Sequence, residues 1–229
     1  MQSVNTADIA ELTGCTEQHL LRRADGFLLH HKVLTAFDML CQAAQQDGLS
    51  IKLVSAYRSF DRQAYIWNNK FSGKRPVFDV HGNVIDITTL QGKAKLEALL
   101  LYSALPGASR HHWGTDLDVY DAAAVAADYQ VQLLPEEYNE TGPFGPLTLW
   151  LKRHAQQFGF FMPYSSYQGG VAAEPWHISY QPVASEYMQK LNTDVIRQSL
   201  LAHPIAGQDL VLDNLPWIIQ QYVRNICSC

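Results

Sequence analysis

Cysteine is scarce in this sequence of 229 residues: four are present, and no two of them form a C-x-x-C pair. A disulfide framework is therefore not expected, and the default state of the thiols is reduced. Cys227 and Cys229 lie close together at the C-terminus, but two sulfurs supply only half of a tetrahedral metal site. A chain of this length can bury an apolar core without disulfide or metal cross-links.

Long apolar runs and basic runs are also missing. No window has the ~20 apolar residues of a membrane helix, and the net charge of -5 comes without a Lys/Arg-rich stretch. We therefore expect neither nucleic acid nor a membrane as a partner, and nothing in the sequence indicates an oligomeric state. The N-terminal segment contains Asp8, Glu11 and Glu17 and lacks the basic and apolar regions of a signal peptide, so the expected location is cytoplasmic.

Hydrophobic periodicity predicts a mixture of helices and short strands. Apolar residues recur at helical spacing over residues 15–47, with an interruption near Gly26 and a stop at Gly48. The alternating segment Ile51–Tyr57 predicts a strand that ends at Arg58. Further helices are predicted over 60–71, 93–103, 146–158, 184–202 and 215–226, further strands over 115–120 and 178–180, and a surface loop or irregular hairpin over 72–92.

Strands that do not alternate regularly with helices favour an α+β fold over a doubly wound sheet. We predict a small antiparallel sheet that carries the functional site and is flanked by helices. The main domain is predicted over residues 1–185 and includes an N-terminal helical segment. Residues 186–229 are predicted to form a helical C-terminal extension packed on the same domain.

The densest polar cluster is the segment Ser109-Arg-His-His-Trp-Gly-Thr-Asp-Leu-Asp118. A hydrolytic zinc site uses three imidazole or carboxylate ligands and keeps one coordination position open. His111 and Asp118 can supply two ligands, and Gly114 permits the turn that brings them together. His112 is adjacent and raises the question of which histidine binds. The segment therefore predicts two of the three ligands of a zinc site, and the third must come from elsewhere in the chain.

The segment Glu174-Pro-Trp-His177 supplies what the first cluster lacks, a third ligand and a carboxylate that does not bind the metal. Pro175 disfavours a helix interior, so a tight turn is expected here. The other histidines are interpreted as ordinary packing or hydrogen-bonding residues: His19, His30, His31, His81, His154 and His203. The two segments together predict a three-ligand zinc site with His111, Asp118 and His177 as ligands and Glu174 as base.

These segments resemble the VanY-type D-alanyl-D-alanine carboxypeptidases of the lysostaphin, D-Ala-D-Ala and hedgehog metallopeptidase group. The pattern S-x-H-x-x-G-x-A-x-D is matched over residues 109–118 except at its alanine, and E-x-W-H is matched over 174–177. A Y-R-S-x-x-x-Q segment is present as Tyr57–Gln63. The resemblance covers about residues 25–185 and implies an α+β fold, one Zn²⁺ per chain and cleavage of peptidoglycan peptides. Its spacing favours His111 over His112 as the ligand.

The resemblance also suggests roles around the metal. Glu174 would accept a proton from the attacking water, and Arg58 would stabilise the oxyanion. Ser109 and Gln63 are expected to hydrogen-bond the peptide or its terminal carboxylate, and Trp176 to form an apolar wall unless it is a core residue. A muropeptide, a peptide fragment of the cell wall, is thus the expected partner.

Asp116 replaces the alanine of the family pattern and is predicted to share a strand face with Asp118. It could accept a hydrogen bond from a ligand histidine, contact the substrate, or lie on the rim of the site; the rim is slightly favoured.

Three functions compete: a carboxypeptidase, a phage-type endolysin and a non-catalytic binding module. Glu174 argues against the last. A cytoplasmic enzyme is expected to be an L,D-carboxypeptidase that acts on recycled tetrapeptides, with Asp116 able to recognise an ammonium group on the third residue. A D,D-carboxypeptidase acting on pentapeptides is the alternative.

Overall fold

The computed structural model describes residues 6–228, so Cys229, considered above as a metal ligand, lies outside the described residues. Residues 6–228 form eight strands: β1 Leu20–Arg22, β2 Leu28–His30, β3 Ile51–Ser55, β4 Val77–Phe78, β5 Val84–Ile85, β6 Asp116–Asp121, β7 Phe160–Phe161 and β8 His177–Tyr180. The helices are α1 Thr6–Leu12, α2 Leu34–Gln46, α3 Phe60–Phe71, α4 Gly92–Leu100, α5 Pro135–Tyr138, α6 Gly145–His154, α7 Gln181–Lys190, α8 Thr193–Ala202, α9 Gln208–Asp213 and α10 Leu215–Ile218. The predicted α+β class and small antiparallel sheet are confirmed.

The sheet that positions the site has the strand order β3-β6-β8-β7, and all three pairings are antiparallel. Its central strand β6 alternates in character, because Leu117 and Val119 enter one hydrophobic core while Asp116 and Asp118 face the other side. The predicted division of this strand into an apolar and an acidic face is therefore confirmed. A core behind the sheet fixes the two carboxylates on its opposite face.

The N-terminal part of the predicted helix over 15–47 is wrong. Residues 20–30 form an antiparallel hairpin, and α2 begins only at Leu34. The hairpin packs against the loop that precedes β6: the His30 amide donates to the Gly114 carbonyl at 2.9 Å. Gly114 has a φ of 68°, and a Cβ there would lie 2.5 Å from Leu20. Tertiary contact with this loop thus overrides a leucine spacing that is compatible with a helix.

The C-terminal helices share a hydrophobic core with the rest of the chain. Val183, Ile196 and Leu215 belong to the same buried cluster as Trp67 and Trp113. Helix α7 crosses position 185, so the proposed boundary falls inside a helix. The predicted helix over 184–202 is two helices, because the Asn192 side chain accepts hydrogen bonds from the Asp194 and Val195 amides and starts α8.

The last helical turns differ from an ordinary α-helix. Ile219–Val223 form a π-helical segment directly after α10. Across residues 6–228, no helix has the combination of length and apolar character that a bilayer crossing requires.

Candidate metal centre

The three predicted metal ligands converge on the acidic side of the sheet. Asp118 of β6 and His177 of β8 are directly paired across the antiparallel ladder. His111 comes from the 3₁₀ turn Arg110–Trp113, which Gly114 ends in a left-handed conformation. One potential ligand atom from each side chain lies within 4.8 Å of the others, and all three residues are buried. The structure therefore brings together the ligands that the two sequence motifs predicted.

The atoms that face one another have the chemistry of a metal site. Asp118 Oδ2 lies 3.4 Å from His111 Nε2, and Asp118 Oδ1 lies 3.3 Å from His177 Nδ1. Asp118 Oδ1 and His177 Nδ1 are buried without a hydrogen-bond partner. Buried polar atoms are normally paired, so two such atoms aimed at each other indicate a place where a cation binds. Two imidazoles and one carboxylate suit zinc with a fourth position open.

Each ligand imidazole is held by a hydrogen bond on its other nitrogen. His111 Nδ1 donates to the Ala56 carbonyl at 2.7 Å, and His177 Nε2 donates to Asp116 Oδ1 at 2.9 Å. These bonds select the tautomers that leave His111 Nε2 and His177 Nδ1 free for a metal. The orientation of both rings is thus set by the protein.

Asp116 is not a rim carboxylate, and this correction changes its role. It is fully buried and accepts hydrogen bonds from Arg110, Thr115, Ser179 and His177. Burial alone would raise its pKa, but the Arg110 guanidinium at 2.7 Å and His177 hold the pKa well below its usual range. Because both oxygens of Asp116 accept hydrogen bonds from these partners, Asp116 orients His177 and is not available to bind a substrate ammonium group.

We expect Asp116→Asn to lower zinc affinity by about 10- to 100-fold, since the amide replaces the charged acceptor that orients His177. Competitive titration with a chromogenic chelator measures this effect. Asp121→Asn is a matched control, because Asp121 is a buried carboxylate on the same strand that caps the Ser50 amide away from the metal ligands. Equal zinc affinity in wild type and Asp116→Asn would contradict this role.

The electrostatic balance of the ligand group depends on three carboxylates around His177. Burial lowers the pKa of His177, but the hydrogen bond to Asp116 and the neighbouring carboxylates of Asp118 and Glu174 outweigh burial and raise it well above its usual value. For Asp118, burial opposes ionisation, whereas His111 and His177 depress its pKa strongly. A cation held by His111, Asp118 and His177 would neutralise the negative charge of these carboxylates.

Glu174 occupies the position expected of a base. It begins the predicted tight turn, in which the His177 amide donates to the Glu174 carbonyl at 3.0 Å. The Glu174 amide in turn donates to the Tyr164 carbonyl at 2.8 Å. Its carboxylate Oε2 lies 3.4 Å from His177 Nδ1, and its side chain is 16% exposed, more than any of the three ligands. Glu174 therefore lies beside the ligand cluster and faces the cavity.

Arg58 follows β3 and lines the same cavity. Its guanidinium donates to Gln63 Oε1 at 2.9 Å and to Ser55 Oγ at 3.3 Å. Burial lowers the pKa of Arg58, while the nearby Asp118 and Glu174 carboxylates favour its charged form. Gln63 is buried, donates to the Ala104 carbonyl at 2.7 Å and is not on the cavity wall. The expectation of a substrate contact at Gln63 is corrected: here it positions Arg58.

A cavity of about 650 Å³ opens over Glu174 and the three ligands. Ser109 and Trp176 line it as expected, and Trp176 also packs on Tyr138 in a buried cluster that includes Phe144, so it combines the wall and core roles. The Tyr164 ring meets His177 edge-on at a centroid distance of 5.0 Å and adds a wall that the sequence motifs did not reveal. These aromatic side chains limit the access of water to the metal ligands.

Other wall residues were missed because they lie outside both motifs. Lys70 at the end of α3 and Arg75 after it line the cavity. The C-terminal π-helical segment and the turn before it contribute Ile218, Tyr222 and Val223. The extension is thus part of the cavity as well as a packing element. Only tertiary structure brings these residues to the site, since they lie in helices and a loop that carry no motif in the sequence.

His112 is not a ligand. It is fully buried, its Nδ1 donates to the Arg58 carbonyl at 2.6 Å, and its Nε2 accepts from the Gly107 amide at 3.0 Å. Burial lowers the pKa of His112 to about 3, which keeps the ring neutral. The predicted packing and hydrogen-bonding role of this residue agrees with these contacts.

Comparison with known proteins supports the same assignment. The D-alanyl-D-alanine carboxypeptidase family VanY matches residues 26–183. An uncharacterized protein of Haemophilus influenzae is 34% identical over 121 residues, which is 52% of this chain and 92% of that protein.

Solved structures show the same fold at low sequence identity. A mutant of the vancomycin resistance D,D-pentapeptidase VanY in complex with Zn(II) is 21% identical, with a TM-score of 0.50 over 81% of this chain and 92% of that one. The LD-carboxypeptidase LdcB is 21% identical, with a TM-score of 0.52 over 76% of this chain and 79% of that one. The family match and the buried two-histidine, one-aspartate cluster together place this chain in the VanY family of zinc-dependent murein peptide carboxypeptidases.

Proposed function

We propose that this enzyme removes the terminal D-alanine from peptidoglycan tetrapeptides, which makes it an L,D-carboxypeptidase. The observation that supports the choice of substrate is the size of the cavity. The cavity volume of about 650 Å³ lies in the range that holds a drug-sized ligand. This volume exceeds that occupied by two alanine side chains. In a tetrapeptide the residue before the scissile bond is the long third residue of the stem, whereas in a pentapeptide it is another alanine.

His111, Asp118 and His177 would hold a zinc ion, and the bound ion would supply the charge that lowers the pKa of a water molecule and polarises the scissile carbonyl. Glu174 accepts a proton from the attacking water as the new C–O bond forms. It then returns that proton to the amine of D-alanine as the C–N bond breaks. Arg58, fixed by Gln63 and Ser55, places a permanent positive charge beside the oxygen that becomes negative. Tyr164 and Trp176 shield these steps from bulk water.

A D,D-carboxypeptidase is the second candidate, since the matching family is described by activity on D-alanyl-D-alanine. In that case the residue before the scissile bond is D-alanine, and most of the cavity would hold the earlier residues of the stem. The phage-type endolysin expected as a further alternative would instead cut within the stem.

Incubation of the zinc-loaded protein with equal concentrations of tetrapeptide and pentapeptide stems separates these activities, with mass spectrometry to identify products. We expect conversion of tetrapeptide to tripeptide with release of D-alanine. Release of D-alanine from pentapeptide alone would establish the D,D activity and refute our choice of substrate. Products that have lost more than one alanine would indicate an endopeptidase. The same protein carrying Glu174→Gln controls for contaminating peptidases.

A further inference from the structure

The C-terminal segment, residues 219–227, reaches the cavity from outside the part of the chain that matches the family. The VanY match covers residues 26–183, whereas Tyr222 and Val223 of this segment line the cavity. The segment begins with the π-helical turn Ile219–Val223. Such turns are rare and are frequent at functional sites. The segment is thus an addition to the cavity that the family match does not include.

The C-terminal segment is joined to the loop that precedes Glu174, residues 163–173. Three hydrogen bonds run from the segment to backbone carbonyls of this loop: Gln221 Nε2 to Gly169 at 2.5 Å, Asn225 Nδ2 to Gln168 at 2.7 Å and the Cys227 amide to Pro163 at 2.8 Å. One segment therefore holds the loop both at its first residue and in its middle.

The two backbones also approach each other closely at Gly170. A Cβ at this position would lie 2.2 Å from the Gln221 carbonyl oxygen. Gly170 is buried and is not one of the glycines with positive φ. A larger residue is therefore excluded by contact with the C-terminal segment and not by the backbone conformation of the loop.

Both ends of this loop belong to the metal centre. The Tyr164 ring meets His177 edge-on, and the Tyr164 carbonyl accepts a hydrogen bond from the Glu174 amide at 2.8 Å. The Ala172 amide donates to the Leu101 carbonyl at 2.9 Å. The backbone that carries Glu174 is thus fixed by the conformation of the loop.

The direction of the Glu174 side chain depends on this backbone. Its carboxylate lies 3.4 Å from His177 Nδ1. That nitrogen is the one left free for a metal by the hydrogen bond from His177 Nε2 to Asp116, so it cannot also hold the carboxylate once a metal is bound. A general base must lie within hydrogen-bond reach of its proton, and a displacement of about 1 Å can cost about 100-fold in rate.

We propose that the C-terminal segment positions Glu174 for proton transfer by holding the loop 163–173, with Gln221 and Asn225 as positioning residues. This inference rests on the proposed function, in which Glu174 is the base. Neither side chain lines the cavity. Their effect on the rate must therefore pass through Glu174.

A double-mutant cycle with Glu174 tests this role on the tetrapeptide substrate. The paired variant Gln221→Ala/Asn225→Ala should keep one zinc per chain and lower kcat by about 10- to 100-fold, because the loop no longer fixes the base. In Glu174→Ala protein the same pair should leave the residual rate unchanged, since the group that they position is gone. A loss by the same factor in both backgrounds, or an unchanged kcat in the first, would overturn the inference.

Two further variants separate this contact from general destabilisation. Gln220→Ala is the matched control and should have wild-type kinetics, because Gln220 is an exposed residue of the same π-helical turn. Gly170→Ala disturbs the contact from the side of the loop and should reproduce the loss of kcat. If the paired variant does not fold, the single substitutions at Gln221 and Asn225 carry the same cycle.

Amide hydrogen exchange followed by NMR gives a measurement that does not depend on turnover. The Ala172 and Glu174 amides should exchange about 10-fold faster in the paired variant than in wild type, and Gln220→Ala should not change them. Unchanged exchange at both amides would contradict the inference. If the wild-type enzyme hydrolyses neither stem peptide but this exchange still depends on Gln221 and Asn225, the reaction is misassigned while the positioning contact stands.

Discussion

Glu174→Ala is expected to bind one zinc per chain and to hydrolyse stem peptides about 100- to 10,000-fold more slowly than wild type, the usual contribution of a positioned general base. The carboxylate lies next to His177 but is not one of the three converging ligands. Removing it leaves His111, Asp118 and His177 in place and deletes the group that moves the proton. Metal analysis after desalting, together with steady-state kinetics, measures both quantities.

Two further variants divide the roles of ligand and base. Glu174→Gln keeps the size of the side chain and removes its basicity, so it should match the alanine variant in rate. His177→Ala removes a ligand and should lose both zinc and activity. Zinc loss in Glu174→Ala comparable to that in His177→Ala would contradict the division of roles, because it would make Glu174 a ligand.

The metal centre was predictable from sequence because its chemistry is concentrated in two short segments. Residues 109–118 and 174–177 contain the three candidate ligands and Glu174, the proposed base, and their residue types are sufficient to suggest zinc. The strands at 51–55 and 116–121 were also predictable, since alternation on a sheet with one apolar face follows from the strand period. In these segments local sequence and tertiary structure favour the same conformation.

The role of Asp116 was not predictable from strand alternation alone. Alternation places Asp116 and Asp118 on one face but does not show which of them meets a buried cation. Arg110, six residues earlier, supplies that cation because the 3₁₀ turn folds it back beneath β6. The resulting contacts with His177 and Ser179 depend on the pairing of β6 with β8, which joins segments about sixty residues apart.

The outer lining of the cavity was the least predictable part of the site. Lys70 is one of several lysines on helices, and its place on the cavity lining becomes visible only when α3, Ser103 and the cavity are seen together. The C-terminal wall is similar, because Gln221 and Asn225 attach that segment to the loop before Glu174 through the carbonyls of Gly169 and Gln168. Such contacts between distant segments have no signature in local periodicity.

Arg58→Lys is expected to reduce kcat by about 100- to 1,000-fold, the usual loss on removal of one oxyanion stabiliser. The guanidinium is a planar fork that reaches Gln63 and Ser55 while keeping its charge beside Asp118 and Glu174. A lysine ammonium is a single point and cannot satisfy this geometry. Because the interaction strengthens as the carbonyl oxygen becomes negative, the loss should appear mainly in kcat, with a much smaller change in KM. Single-turnover kinetics with zinc-loaded protein isolates the chemical step from product release.

Arg62→Lys provides the matched control, since Arg62 is an exposed arginine four residues further along that stacks on Tyr65. Its kinetics should equal those of wild type, and zinc content should be unchanged in both variants. A normal kcat with a raised KM in Arg58→Lys would instead make Arg58 an anchor for the ground state of the substrate.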